Sequence, residues 1–236
     1  MTMTMHMNQL NQSLAVLETW QQQSVEQRVA IVQRWATLLD QRDNKFTESV
    51  AMIRFQCQQA LATIAQTHTL QGPTGETNQL YCVGRGSFLV FADEAANTTA
   101  LVGLISAALV AGNTVICSAA NTHIELDSLL SELLRAGCPD RVATQVAAEA
   151  CEPLAKQPQL AGVALAAAPA TCQRFNQILA ERDGQLAQLI YETDSLNFSQ
   201  LSDSKLCLRF ITERTRTINI TAVGGNASLL ELGSGE

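Results

Sequence analysis

Between residues 87 and 191 short apolar runs alternate with longer amphipathic ones, and this alternation constrains the fold more than any other feature of the chain. Strands are expected over 87–91, 114–118, 141–146, 160–165 and 186–191, with helices over 97–110, 124–135, 149–156 and 171–182 between them. Gly137 closes the second of these helices, and Pro139 follows it. Strands and helices in strict alternation demand right-handed crossovers, which lay the strands parallel and the helices on both faces. The runs Val115-Ile116-Cys117-Ser118-Ala119 and Val163-Ala164-Leu165-Ala166-Ala167 are apolar almost throughout, as strands covered on both sides must be. The expected class is α/β, a Rossmann-like doubly wound parallel sheet occupying residues 70–192.

The flanks read differently. Residues 1–8, opening MTMTMHM, lack the basic start and apolar core of a signal peptide and are expected to be a disordered start. Residues 9–69 carry three helical stripes that pack on the core: Leu10, Leu14 and Leu17; then Val25, Val29, Val32, Trp35 and Leu39 behind a Ser24/Gln27 capping box; then Phe46, Val50, Ile53, Cys57, Leu61 and Ile64. Residues 70–79 form a turn-rich linker. Residues 193–236 hold a polar connector over 194–205, a strand-like segment over 206–212 and a period-two segment from Arg214, broken at Gly224-Gly225. Thr215, Thr217 and Asn219 fall on one face of that segment and Arg216, Ile218 and Ile220 on the other. A threonine-rich strand with no obvious local partner is expected to add itself to a sheet edge, so 193–236 reads as a C-terminal β-flap.

Composition narrows the function. A hydrophobic fraction of 47% and a charged fraction of 16% describe a globular chain, and a net charge of −7 without a basic patch argues against nucleic acid or an anionic membrane surface. No apolar run reaches the roughly 20 residues that span a bilayer. The seven cysteines include no CxxC pair and the three histidines are scattered, which fits reduced cytoplasmic thiols and no metal site.

Candidate chemistry is sparse. Gly84-Arg85-Gly86 precedes a strand and does not open a helix, so it lacks the setting in which glycines bring a pyrophosphate to a helix N-terminus. Gly112-Asn113 reads as a helix-ending turn. The turn after the strand at 160–165 is Ala166-Ala167-Ala168-Pro169, with no glycine or hydroxyl for a phosphate. Glu192 ends the last parallel strand, where a carboxylate serves as general base, solvated residue or cap. Cys117 and Cys172 lack a neighbouring histidine or cation that would make a thiolate.

Several segments resemble known ones. Trp20 with VEQRVAIVQRWATLLDQR, AALVAGNTVICSAA, LLRAGCPDRVATQV and LIYETDSLN resemble, in order, the N-terminal helices, the AAGNTVVLKPSE segment, the EAGxPxGVxxxV segment and the general-base strand of the aldehyde dehydrogenase superfamily. GPTGETNQLYCVGRG and TINITAVGGNASLLELG resemble the non-catalytic aldehyde dehydrogenase-like C-terminal domain of proline utilization A proteins. The resemblance puts the family's ribose-binding lysine at Ser118, its next glutamate at Asn121, its phosphate-side turn at 165–169 around Ala167, and its general base at Glu192. Where the family carries a catalytic domain with its nucleophilic cysteine, this chain has eight residues between Asn197 and Leu206. Without that cysteine no thiohemiacetal forms. The resemblance therefore implies a cytoplasmic pseudoenzyme with vestigial cofactor positions and no cofactor. It would dock through Arg216, Ile218, Ile220, Gly224, Gly225 and Asn226 on a proline-catabolic 1-pyrroline-5-carboxylate dehydrogenase or on a second copy of itself. The alternative is an NAD-binding oxidoreductase of the superfamily.

Overall fold

A computed structural model describes residues 2–72 and 75–219, with side chains from Asn8 onward. The helices are α1 (Thr2–Gln22), α2 (Val25–Arg42), α3 (Thr47–Thr63), α4 (Thr98–Val110), α5 (Leu126–Arg135), α6 (Cys151–Ala155) and α7 (Pro169–Ala180). The strands are β1 (His68–Leu70), β2 (Glu76–Gly84), β3 (Ser87–Ala92), β4 (Thr114–Ala119), β5 (Ala143–Gln145), β6 (Gly162–Ala166), β7 (Gln188–Glu192) and β8 (Ile211–Asn219). The residues read as a disordered start are drawn into α1 from Thr2 onward.

Five strands form the expected parallel sheet, in the order β5-β4-β3-β6-β7. Strand order reverses between β3 and β6, which is the doubly wound arrangement. Period-two alternation divides the core. Phe88, Val90 and Ala92 of β3 and Ala164 and Ala166 of β6 join one apolar layer with α2 to α5, while Leu89, Phe91, Val163 and Leu165 meet α1, α6 and α7 on the other face. Helix α4 is buried on every side because it lies between the sheet and the α2–α3 pair, and this is why its sequence is apolar all round rather than striped. The stripe on α3 finds its partner there.

Local signals act as read at the start of α2, where Ser24 N–H donates to Gln27 Oε1 at 2.8 Å and Gln27 N–H to Ser24 Oγ at 3.3 Å. The α1 helix is fixed to the sheet by a buried hydroxyl cluster: Ser13 Oγ lies 2.8 Å from Ser87 Oγ and donates to Thr114 Oγ1 at 2.7 Å. Arg28, 5% exposed, joins α2 to two helix ends, its Nε donating to Val110 O of α4 at 3.0 Å and its Nη1 to Gln23 O just beyond α1.

The flap differs from expectation. The segment 206–210 is a 3-10 helix, not a strand. Part of the supposed linker is β2, and β8 pairs antiparallel with it over its whole length, from Ile211 opposite Gly84 to Asn219 opposite Glu76. With β1 on the far side of β2, these make a separate antiparallel sheet, β1-β2-β8. The partner that β8 lacked nearby in sequence thus sits about 130 residues away, hidden because β2 opens with four polar residues, Glu76 to Gln79, that read as part of a linker. The root of this sheet is wedged against the α4–β4 turn, where a Cβ on Gly84 would stand 2.4 Å from Gly112 O. Only glycine allows two backbones so close.

Candidate functional site

In a doubly wound sheet a nucleotide binds beyond the carboxyl ends of the strands, where strand order reverses. Here that crevice is bounded by Asp93 after β3, Ala167 and Ala168 after β6, and Glu192 at the end of β7. Each wall is closed by the chain itself.

The N-terminus of α7 is the natural seat for a phosphate, since its unpaired N–H groups and helix dipole favour negative charge. Pro169 removes one donor, and the Asp93 carboxylate occupies the seat: its Oδ2 accepts from Ala168 N–H at 2.8 Å and from Thr171 Oγ1 at 2.9 Å. The other oxygen accepts from Ala95 N–H at 2.9 Å. A phosphate entering here would meet a fixed carboxylate. The sequence reading missed Asp93; an acidic residue directly after the first parallel strand, at the switch point, was the available signal.

Glu192 is 1% exposed and is committed to backbone. Its Oε1 accepts from Asp194 N–H at 2.9 Å, and its Oε2 from Gln200 N–H at 2.8 Å and Leu201 N–H at 2.9 Å. The carboxylate folds the connector around itself, so it is a buried cap and not a base open to a substrate. The connector is fastened across the crevice mouth by Asn97 Nδ2, which donates to Ser195 O at 2.8 Å, and by Ser195 Oγ, which donates to Ala95 O at 3.2 Å. Beneath it Leu201 is fully buried against Gly103 of α4, and Gln56 Nε2 donates to Leu201 O at 2.7 Å.

The ribose side is changed as well. Ser118 is fully buried, and its hydroxyl makes no hydrogen bond among the described residues. Asn121 braces the loop after β3, donating to Ala96 O at 2.8 Å and accepting from His123 N–H at 2.9 Å. Ala167 N–H donates to Glu192 O at 3.0 Å, so it too is spent. The structure therefore brings Ala167 and Glu192 together but consumes both, and separates them from Ser118 and Asn121. Among the described residues no group of three or more His, Cys, Asp or Glu side chains could hold a metal, and no helix is long and apolar enough to cross a membrane.

Of the residues expected to dock, Arg216 lies over the Tyr81 ring at 5.9 Å with its Nε donating to Gln79 Oε1 at 3.1 Å, and Ile218 is 46% exposed at the far end of β8. Ile220, Gly224, Gly225 and Asn226 lie outside the described residues.

All seven thiols are free, and all but the half-buried Cys82 are buried. Burial pushes Cys57 and Cys138 up to about 12 and Cys151 to about 11, and raises Cys117 and Cys172 by the same cause. Such thiols are poor nucleophiles. A disulfide reagent is expected to label native protein at Cys82 alone and the rest only after unfolding. The same shifts predict alkaline lability. Because the folded pKa values lie above the unfolded value of about 8.5, the protection is complete below that pH and is lost as pH rises toward 11 to 12, at about 1.4 kcal/mol per pH unit for each thiol ionised on unfolding. Urea midpoints measured from pH 7 to 10 check this.

The parallel sheet with its crevice, the N-terminal helices and the antiparallel flap sheet together define an aldehyde dehydrogenase-superfamily fold. More particularly it is like proline utilization A over 82% of the chain. The bifunctional proline utilization A structure matches at 25% identity with a TM-score of 0.74, and that of Bradyrhizobium japonicum proline utilization A at 24% and 0.74, each covering 82% of this chain and 22% of theirs. NADP-dependent glyceraldehyde-3-phosphate dehydrogenase from Bacillus halodurans, complexed with NADP, matches at 16% identity and a TM-score of 0.69, covering 80% of this chain and 44% of that one. The chain thus spans under a quarter of the proline utilization A chains it resembles. No protein-family model matches it, and no curated protein does.

Proposed function

We propose that this chain is a non-catalytic scaffold that docks through its three-stranded flap, either on a 1-pyrroline-5-carboxylate dehydrogenase of proline catabolism or on a second copy of itself. One observation carries the reading: the positions where the fold would hold a cofactor and a general base are filled by the chain's own Asp93 and Glu192. The scaffold is kept while the chemistry is closed off. The described part of the flap, in contrast, is exposed. On β8 every residue from Glu213 to Asn219 is exposed, and no strand lies beside its outer edge among the described residues. Such an edge is a template for strand addition.

Size-exclusion chromatography of the chain, alone and mixed with such a dehydrogenase, tests the proposal. A complex or a self-associated species is expected, and truncation of residues 217–236 is expected to leave a soluble fold and abolish it. A lone monomer in both runs overturns the docking reading. Calorimetric titration with NAD is expected to be silent; micromolar binding would instead support an NAD-binding oxidoreductase.

A further inference from the structure

Away from the crevice, one cleft sets free donors of a buried cation beside apolar walls. It lies between the α1–α2 turn, the end of α3 and the root of the flap sheet, has a volume of about 300 Å³, and is lined among others by Ser24, Arg28, Ile64, Tyr81, Val83 and Arg216. Arg28 is 5% exposed. Its Nε and Nη1 are used on Val110 O and Gln23 O, but Nη2 makes no hydrogen bond among the described residues, so three of five N–H donors, two of them on Nη2, are left on a buried guanidinium that borders the cleft. Desolvation lowers Arg28 to about 10, against the opposing pull of Glu26, so the guanidinium is short of negative charge. Glu26 is the only acid among the described lining residues; it is exposed and hydrogen-bonded to Ser24. In a chain of net charge −7 the cleft therefore carries a local excess of cation. Arg216 supplies the second guanidinium, held over Tyr81 by Gln79.

Guanidinium forks match the planar, two-oxygen geometry of a carboxylate, and an aromatic ring with aliphatic neighbours suits an apolar body. We propose that this cleft binds a small organic carboxylate, its carboxyl group taken by the unused donors of Arg28, its apolar part lying against Tyr81 and Ile64, and the Arg216 charge at the flap side of the cleft adding to the attraction. Neither the closed crevice nor a docked partner is needed for this.

Benzoate is the probe. Followed by 15N-resolved NMR, titration of the full chain is expected to give saturable shifts at the Arg28 and Arg216 Nε–H groups and at the Tyr81 amide, with a dissociation constant on the order of 1 mM. Chloride at equal ionic strength is expected to give none. Arg28 variants are expected to lose stability, so the deciding variant is Arg216→Gln, an exposed position on the flap, for which binding should weaken about tenfold. Shifts that rise linearly without saturating, that chloride reproduces, or that Arg216→Gln leaves unchanged would each overturn the site. No partner protein is present in the titration, so its failure is distinguishable from failure of the docking reading.

Discussion

Replacing Glu192 by alanine is expected to destabilise the protein by about 3 to 5 kcal/mol. Three backbone N–H groups converge on this one carboxylate, from Asp194, Gln200 and Leu201, and the side chain is 1% exposed. Removing it leaves Leu201 N–H in a buried place without an acceptor, and bonds to a charged acceptor are individually worth roughly 1.5 to 3 kcal/mol. Glu192→Gln keeps the shape but turns an N–H₂ group toward N–H donors, so a loss of about 2 kcal/mol is expected. Urea unfolding checks both, and for a chain of this size each kcal/mol lowers Tm by about 2 to 4 °C. An accessible catalytic base would behave otherwise: its removal would leave stability nearly unchanged. The experiment therefore separates the cap from the base.

Arg28→Ala is expected to cost a similar amount, about 3 kcal/mol or more. The guanidinium meets carbonyls at the ends of α1 and α4, where helix dipoles are negative, and so fastens the N-terminal helices to the central one. Truncation strands Val110 O in the interior and opens a cavity. Arg28→Lys is also expected to destabilise, because one ammonium cannot reach two carbonyls in a fork. Chemical denaturation of the two variants beside Arg216→Gln, which should stay within about 0.5 kcal/mol of the parent, checks that the effect belongs to burial and not to charge.

How much was legible depended on range. The parallel sheet was visible because strands buried on both faces must be apolar at successive positions, as 115–119 and 163–167 are. The Ser24/Gln27 capping box was visible because both partners lie within one turn. Asp93 and Glu192 were harder. Sequence presents each as a carboxylate after a strand, and their roles depend on backbone N–H groups that other segments bring to them.

By itself, then, the sequence determined the alternation of elements and the class of sheet, both properties of local pattern and residue type. The tertiary structure alone decided that the crevice is filled and that β8 lies on β2. It also decided that α4 needs an apolar surface on every side. The Asp93 contacts in the crevice join residues 75 and 78 apart and the β8–β2 pairing residues well over a hundred apart, while the surface of α4 depends on the sheet and the α2–α3 pair closing on it from opposite sides; no local period encodes such meetings.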